Sequence, residues 1–312
     1  MDTVRQWVVA TDVGGTKIAT AVVSSSGERL CVHEENISRT GLEASLDQLV
    51  RSYQRATAET TSAVMAWGLA VPGIWDPAEE RVWAPNVPGW DWIPLRRLLT
   101  ERLTVPVFIE SDRNASLMGE AWLGCARDCI NCIYLIIGTG IGMGVMCDGR
   151  TVSGAHSVAG AVGWFILPAL FGEKKIPLTW EEAAAGPALS RRYADVSGRR
   201  EEPRSIFDRA RQGENEALEV VRQTATYIGL GLCNLIAAFD PELIVFGGGM
   251  RHGLDLMEPT IRRTIELHAQ PVSGKKVRLA GSDLGYEASL LGAARVCFEG
   301  LKVERGRSKE RT

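Results

Sequence analysis

The residues with the clearest chemical potential form a short segment near the N-terminus, Asp12-Val13-Gly14-Gly15-Thr16-Lys17. Its two glycines leave backbone N–H groups unobstructed, so phosphate oxygens can approach them closely. Asp12 ends an apolar run and would hold Mg²⁺ through water, while Lys17 would neutralise phosphate charge. The same residues also fit an ordinary hairpin turn that binds nothing. Taken alone, the segment leaves both interpretations open.

Two further glycine runs change that balance. Gly138-Thr139-Gly140-Ile141-Gly142 lies between two apolar runs, and it does not match the dinucleotide-binding pattern G-x-G-x-x-G that opens a helix. It is therefore interpreted as a second hairpin that clamps phosphate. Gly247-Gly248-Gly249 follows the apolar run Leu243–Phe246 and would let a flat nucleotide base lie against bare backbone. Three such turns, one with an acid and a lysine, favour a nucleoside triphosphate site.

A candidate catalytic carboxylate occurs in Glu110-Ser111-Asp112-Arg113-Asn114, after an apolar run and before a helical pattern. Asp112 is a candidate general base that would take a proton from an attacking hydroxyl, as in phosphoryl transfer. Asn114 would hydrogen-bond a substrate hydroxyl and position it. An aspartate at this place is also a common helix N-cap, and that alternative stays open at the level of sequence.

The hydrophobic pattern predicts the elements that position these residues. Alternating and continuous apolar runs predict strands, and apolar residues at helical spacing predict helices. The predicted strands are Trp7–Asp12, Lys17–Val23, Leu30–Asn36, Val64–Val71, Val105–Ile109, Cys132–Ile137, Gly144–Cys147 and Leu243–Phe246, and the main predicted helices are Leu42–Thr60, Asn114–Leu123, Trp180–Ala194 and Glu214–Phe239. Each half contains strands, a glycine turn and then helices, which predicts a loosely duplicated α/β protein of two lobes with an interlobe cleft.

Composition excludes several classes of protein. The chain has 312 residues, 45% hydrophobic and 23% charged, with a formal net charge of −3. That balance indicates neither a nucleic-acid partner nor a membrane partner, and no secretory signal is apparent, so a cytoplasmic protein is expected. The seven cysteines are an odd number and favour free thiols. The pair Cys129 and Cys132 has metal-site spacing but lacks further ligands nearby.

The combined motifs resemble the ROK family, which groups sugar kinases with sugar-responsive repressors on the two-lobed actin-like ATPase (ribonuclease H-like) fold. The matching segments, all in the order found in that family, are Asp12–Lys17, Pro72-Gly73, Asn86, Ser111–Asn114, Gly138–Gly142, Ala159-Gly160, Asp240–Glu242 and Gly247–Gly249. The resemblance implies transfer of the γ-phosphoryl group of ATP, with Mg²⁺, to a sugar hydroxyl. It implies that Asp112 is the base and that Gly73, Asn86, Asn114 and Glu181 line the sugar site. It also implies a homodimer.

The departures from the family pattern are equally informative. The family reads G-x-x-G-x-A-G-E-x-G-H after its second glycine loop, whereas this chain has Ala161 in place of the sugar-binding Glu and Trp164 in place of the zinc-binding His. The family's cysteine knuckle is absent from Phe171–Trp180, so we predict no zinc. Trp164 would form an apolar wall beside the sugar, and His156 is a weaker candidate for a substrate contact. The substrate is expected to be an uncommon or substituted sugar, or a cyclitol.

The predicted domains are a small N-terminal lobe of residues 1–115 completed by a helix over 287–300, a larger lobe of 116–286, and a frayed charged tail of 302–312. The first strand begins near residue 7, which leaves no room for the repressors' helix-turn-helix, so a kinase is favoured. The alternative is a catalytically impaired sugar-binding or regulatory protein on the same fold, motivated by Ala161 and Trp164. A polyphosphate-using kinase is a third possibility, since glycine loops bind either donor.

Overall fold

A computed structural model describes residues 5–172 and 178–310 of the chain. Up to residue 123, its elements in chain order are β1 (Trp7–Val13), β2 (Lys17–Ser24), β3 (Arg29–Asn36), α1 (Leu42–Ala58), β4 (Val64–Val71), β5 (Ile74–Asp76), β6 (Arg81–Trp83), α2 (Leu95–Thr100), β7 (Val107–Ser111) and α3 (Asp112–Leu123). The rest comprises β8 (Cys132–Ile137), β9 (Ile141–Cys147), β10 (Arg150–Thr151), β11 (Ile166–Leu167), β12 (Leu178–Thr179), α4 (Trp180–Ala184), α5 (Gly186–Ser197), α6 (Pro203–Arg211), α7 (Asn215–Phe239), β13 (Leu243–Gly247), α8 (Leu254–His268), α9 (Ser273–Lys276), β14 (Arg278–Gly281) and α10 (Ala288–Glu310).

These elements form two compact units. Unit 1 takes the described chain up to Arg127, together with Ser153–Val158 and the chain from Tyr286 onward, and unit 2 takes Asp128–Val152 and Ala159–Gly285. The sequence placed the first boundary at residue 115, whereas the structure keeps all of α3 in unit 1. The reason is that α3 packs closely along α10, where a Cβ built on Gly292 would lie 1.7 Å from the carbonyl oxygen of Ala115.

Each unit is built on a five-stranded mixed sheet, and the two sheets repeat one plan. Unit 1 has the strand order β3-β2-β1-β4-β7, and unit 2 has β10-β9-β8-β13-β14. In both, the first three strands form an antiparallel meander and the last two run parallel to the third. The predicted α/β duplication is therefore confirmed. Each sheet contributes to its own hydrophobic core.

The tryptophan-rich segment Ile74–Pro94 is predicted from the sequence to be a loop whose tryptophans either pack against the small lobe or contact carbohydrate. The structure places a small hairpin of β5 and β6 in this segment. Its tryptophans mostly pack: Trp75 and Trp90 belong to the core of unit 1, and the Trp90 indole N–H donates to Ser45 Oγ at 2.9 Å. Trp83 and Trp92 stack on each other with ring centroids 6.3 Å apart. These contacts support the packing interpretation of a tryptophan-rich loop.

Two helix predictions differ from the structure. The helix predicted over Trp180–Ala194 is two helices, α4 and α5, because Pro187 cannot donate an N–H in a helix interior and instead occupies the first turn of α5. Side chains of Arg191 and Arg192 donate to the carbonyls of Glu182 and Ala183 at the break. The structure also continues α10 to Glu310, where fraying was predicted from residue 302, since Lys, Glu and Arg propagate a helix well.

Candidate active site

The carboxyl edge of the sheet in unit 1 gathers several predicted site residues. Strands β1, β4 and β7 are parallel neighbours, with Asp12 opposite Ala70 and Val71 opposite Ser111. Asp12 therefore lies at the same edge as Gly73, which follows β4, and Asp112, which follows β7. Because the carboxyl ends of parallel strands meet at one edge of a sheet, Asp12, Gly73 and Asp112 lie at the same edge although they are far apart in sequence.

Asp112 occupies the first turn of α3 without being its N-cap. Ser111 is the N-cap, since its side chain accepts from the backbone N–H of Asn114 at 3.4 Å. The capping alternative for Asp112 is therefore wrong, and its carboxylate is left available for other contacts. Burial raises the pKa of Asp112 from 3.8 to about 6, while the positive charge of Arg113 and backbone N–H groups act in the opposite direction.

Asp12 has a carboxylate that is electrostatically linked to Asp112. The pKa of Asp12 is raised from 3.8 to about 6: burial is the main cause, the hydrogen bond from Ser289 opposes it, and the negative charge of Asp112 adds a smaller increase. Ser289 Oγ, on α10, donates to Asp12 Oδ1 at 2.6 Å. Two carboxylates with raised pKa values at one edge suit a site that receives a proton or a cation.

Neighbouring side chains support the predicted sugar-site residues of unit 1. Asn114 is buried, and its amide donates to Glu110 Oε1 at 3.2 Å. Burial raises the pKa of Glu110, and its hydrogen bonds to Ser111 and Asn114 oppose that shift. Arg113 Nη2 donates to the carbonyl of Gly73 at 3.3 Å, which fixes the backbone beside a glycine that has φ of +90°.

The glycine turn between β1 and β2 has two available backbone donors. Gly14 N–H donates to Lys17 O at 2.8 Å and closes the turn. Within the described chain no acceptor faces the N–H of Gly15 or Thr16. The side chain of Lys17 lies 3.5 Å from Glu34 and is largely exposed. The predicted phosphate contact of Lys17 stays a prediction, and the turn itself has the free amides that such a contact needs.

In unit 2 the other two glycine turns lie side by side. Strand β8 is parallel to β13, with Ile136 opposite Gly247, so both turns follow the same edge of their sheet. A Cβ built on Gly248 would lie 2.4 Å from Ile137 O, and one on Gly138 would lie 4.0 Å from Gly249 N. Only glycine fits at position 248, whereas a Cβ at position 138 would make an ordinary contact. Strand β9 begins at Ile141 instead of the predicted Gly144, so Ile141 and Gly142 belong to the strand and the turn is correspondingly shorter.

Glu181 contacts the first of these turns. Its Oε2 accepts from the backbone N–H of Ile141 at 2.9 Å, and a Cβ on Gly140 would lie 2.5 Å from the same oxygen. A capping box between Thr179 and Glu182 stabilises the first turn of α4, and this fixes the position of the backbone that carries Glu181. The structure thus joins a predicted sugar residue to a predicted phosphate turn, a link that sequence spacing did not reveal.

Of the two positions that depart from the family pattern, Trp164 is exposed and Ala161 is partly buried. Trp164 closes a 3₁₀ turn over Val162–Trp164 in unit 2 and is 78% exposed. It follows Gly163, where a Cβ would lie 3.1 Å from Glu181 Oε2. His156 belongs to unit 1 and is exposed in a turn. Trp164 therefore directly follows Gly163, the residue that packs against Glu181. A contact between Trp164 and the sugar stays a prediction.

Four supporting residues were missed by the sequence analysis. Glu110 and Arg113 lie within the segment Glu110–Asn114 but were assigned no role. Ser289 is 277 positions from Asp12, so no local sequence pattern links Ser289 to Asp12. The fourth, Arg39, contacts Gly15 and Asn86. Glu120 is predicted from the sequence to be a solvated helix residue. That prediction is wrong: Glu120 is fully buried and accepts from the backbone N–H of Cys125 at 3.0 Å.

The metal predictions can be compared with the available donors. Among the described residues, no group of three or more His, Cys, Asp or Glu side chains could hold a metal ion. Mg²⁺ needs fewer protein ligands, because it is commonly held by one or two carboxylates together with substrate phosphates and water. Asp12 fits that requirement. The predicted absence of zinc stays a prediction, since residues 173–177 lie outside the described chain. All seven cysteines are free thiols.

None of the helices in the described part of the chain is long and apolar enough to cross a membrane.

The chain is similar to a known protein family and to solved kinase structures of that family. The model of the ROK family matches residues 8–299. A ROK hexokinase from Thermus thermophilus has a TM-score of 0.81 and 33% identity, covering 95% of this chain and 99% of the hexokinase. A ROK family glucokinase from Streptomyces griseus, solved with glucose and AMPPNP, has a TM-score of 0.74 and 27% identity over 92% and 98% of the two chains.

The chain is also similar in sequence to a transcriptional repressor. The xylose repressor of Bacillus spizizenii is 25% identical over 93% of this chain and 77% of the repressor. The predicted actin-like ATPase fold is confirmed by the two kinase structures.

Proposed function

The chain belongs to the ROK family, and from that premise we propose that it is an ATP-dependent carbohydrate kinase with Asp112 as the general base. The observation that carries the proposal is the pairing of Asp12 and Asp112 at one sheet edge beside a turn with free backbone amides. A protein that only sensed sugar would not need a carboxylate whose pKa is raised toward neutrality. We also propose that the protein is a homodimer. Analytical ultracentrifugation of the purified chain should then give the mass of two chains.

In the proposed reaction, Asp112 accepts the proton of the attacking hydroxyl as that oxygen bonds to the γ-phosphorus and ADP leaves. Asn114, held by Glu110, and Gly73, held by Arg113, position the sugar together with Asn86. Within unit 1, the amides of Gly15 and Thr16 offer hydrogen bonds to phosphate oxygens. Within unit 2, the two glycine turns leave backbone open to the nucleotide. Mg²⁺, held through water by Asp12, supplies positive charge to the triphosphate when bound.

The substrate is proposed to be an uncommon or substituted sugar, or a cyclitol. Ala161 and Trp164 replace two polar partners with a methyl group and an indole, which has one N–H donor and no acceptor. A site without those partners discriminates poorly for the hydroxyls that they would bind. The aromatic face instead favours an apolar or substituted side of the ring.

The experiment that tests the proposal is a coupled ADP-release assay with Mg-ATP and a panel of hexoses, amino sugars, acylated amino sugars and cyclitols. Strong turnover of one compound supports the kinase and identifies the substrate class. Silence across the panel, with sugar or ATP binding still measurable by calorimetry, favours the regulatory alternative. Replacing ATP with polyphosphate in the same assay tests the other donor.

Restoring the family residues is expected to redirect specificity. The double variant Ala161→Glu with Trp164→His should raise kcat/KM for glucose by about 10-fold, because a carboxylate and an imidazole pair with its hydroxyls. The same variant should lose activity toward the preferred compound of the panel. Leu267→His, another exposed apolar residue of unit 2, is the control and should change neither value. Ordinary efficiency of the parent chain on plain glucose or N-acetylmannosamine would contradict the specificity proposal.

Removing the charge of Glu181 should weaken the sugar site. Glu181→Gln keeps the side-chain size but replaces a charged acceptor of the Ile141 N–H with a neutral one. We expect a roughly 10-fold to 100-fold lower kcat/KM for the sugar, measured by steady-state kinetics. Glu216→Gln, an exposed residue in the first turn of α7, is the matched control. Equal kinetics for the two variants would remove Glu181 from the site.

A further inference from the structure

One arginine joins two segments to which the proposed function assigns different ligands. Arg39 Nη1 donates to the carbonyl of Gly15 at 2.9 Å and to the carbonyl of Asn86 at 3.1 Å. Gly15 belongs to the proposed phosphate turn, and Asn86 to the proposed sugar site. A Cβ on Gly15 would lie 3.6 Å from Asn86 Cβ, so the two segments are also in van der Waals proximity.

The contact with Gly15 has a consequence for a neighbouring amide. A trans peptide group is planar, so its carbonyl and the following N–H point to opposite sides. Holding the Gly15 carbonyl therefore sets the direction of the Thr16 N–H, one of the two free amides of the turn. The next carbonyl is held as well, because Ile37 N–H donates to Thr16 O at 2.9 Å. Both peptide planes are thus fixed from the segment that carries Arg39.

That segment is itself anchored to α1. Gln48 is 6% exposed and accepts from the Ser38 N–H at 2.7 Å through Oε1. Its Nε2 donates to the Asn36 carbonyl at 2.8 Å. The backbone on which Arg39 stands is therefore fixed by a buried side chain, so the arginine makes its two contacts from a rigid base. Making the two contacts then requires ordering of the arginine side chain alone.

We infer that Arg39 is a positioning residue that holds the phosphate turn and the Asn86 segment in one fixed arrangement, so that nucleotide and sugar are oriented together. The inference rests on the proposed function for the identity of the two ligands. Arg39 need not contact either ligand; it acts through the carbonyls of Gly15 and Asn86.

The kinetic test compares Arg39→Met with Arg39→Lys and Arg51→Met. Arg39→Met removes both hydrogen bonds and should lower kcat/KM by about 10-fold for ATP and for the sugar alike. Arg39→Lys keeps the charge and several donors, and should stay within about threefold of the parent. Arg51 is exposed on α1, and its side chain has no ion pair or hydrogen bond within the described residues, so Arg51→Met should match the parent.

Salt separates positioning from simple charge attraction. At 0.5 M KCl the screening length falls to about 4 Å, so a defect caused only by the lost charge should disappear. A defect that persists supports positioning. Loss for ATP alone, loss for the sugar alone, or recovery at high salt would each overturn the inference.

A second readout does not depend on catalysis. Hydrogen–deuterium exchange should be faster in Arg39→Met than in Arg51→Met at residues 14–17 and 84–90 together, with equal melting temperatures. Unchanged exchange in both segments would overturn the inference even if the protein is a kinase. Faster exchange in a chain that phosphorylates nothing would support Arg39 and reject the proposed function, so the two failures are distinguishable.

Discussion

Asp112→Asn is expected to lower kcat by about 10³-fold while sugar affinity and melting temperature stay close to those of the parent, because general-base assistance typically contributes 10²- to 10⁴-fold. The asparagine keeps the shape of the side chain but cannot accept the proton of the attacking hydroxyl. The helix start should survive, since Ser111 caps α3 and Asp112 does not. Steady-state ADP release and calorimetric sugar titration make the measurement.

Asp47→Asn is the matched control for this variant, since Asp47 is exposed on α1 and plays no part in the proposed site. It should leave kcat unchanged. If Asp112→Asn keeps more than a tenth of the parent's kcat, the base is another group and the proposed mechanism is wrong.

The pH profile gives the same assignment a second check. The pKa of Asp112 is raised to about 6 by burial, so kcat/KM should fall as pH drops through about 6 and the base becomes protonated. Asp12 is linked to it by charge, so the observed value belongs to the pair. Unfolding does not explain this loss: a raised folded-state pKa favours the folded chain at low pH, and that contribution disappears as pH rises from about 4 through 6. In Asp112→Asn the remaining dependence should be that of Asp12 alone, displaced to lower pH because the charge of Asp112 no longer raises the pKa of Asp12.

Gly292→Ala is expected to lower the free energy of unfolding more than alanine at any other glycine described above. The added Cβ would lie 1.7 Å from Ala115 O, a backbone atom of α3 that no side-chain rotation can move. Separating α3 from α10 would cost about 3–5 kcal/mol, despite roughly 1 kcal/mol gained from the better helix propensity of alanine. Urea denaturation would show this as a lower midpoint at an unchanged slope.

The same substitution should affect the active site. Helix α10 carries Ser289, whose hydroxyl donates to Asp12, and α3 carries Asp112 and Asn114. Gly281→Ala is the control for stability, because its Cβ would meet only Leu254 Cδ2 at 3.8 Å, an ordinary contact. It should stay within about 0.5 kcal/mol of the parent. A Gly292→Ala protein that melts within 1 °C of the parent would contradict the close α3–α10 packing.

Some local contacts override the signals on which sequence prediction depends. Pro259 lies inside α8, a helix absent from the predicted set, although proline normally interrupts helices. Met257, Ile261 and Ile265 on the same helix are buried in the core of unit 2, and that burial outweighs the lost hydrogen bond. The charged end of α10 shows the reverse case, where high helix propensity extends an element beyond its apolar pattern.

The sequence alone predicted eight of the ten strands in the two five-stranded sheets, the glycine turns, the duplication and the family. The reason is that these depend on apolar periodicity and on short segments whose meaning is local: a buried strand followed by glycines, or an Asp–Arg–Asn segment before a helix. Asp12 and Asp112 were proposed from such segments, whereas Glu181 was proposed only from the resemblance to the family.

Only the tertiary structure decided which side chains support them. Ser289 meets Asp12, Arg39 meets Asn86, and Glu181 meets Ile141 through contacts between residues that are 40 or more positions apart. Such pairs arise when parallel strands bring their carboxyl ends to one edge and when helices pack at glycines. Local sequence does not encode that arrangement, because it is set by the packing of whole elements.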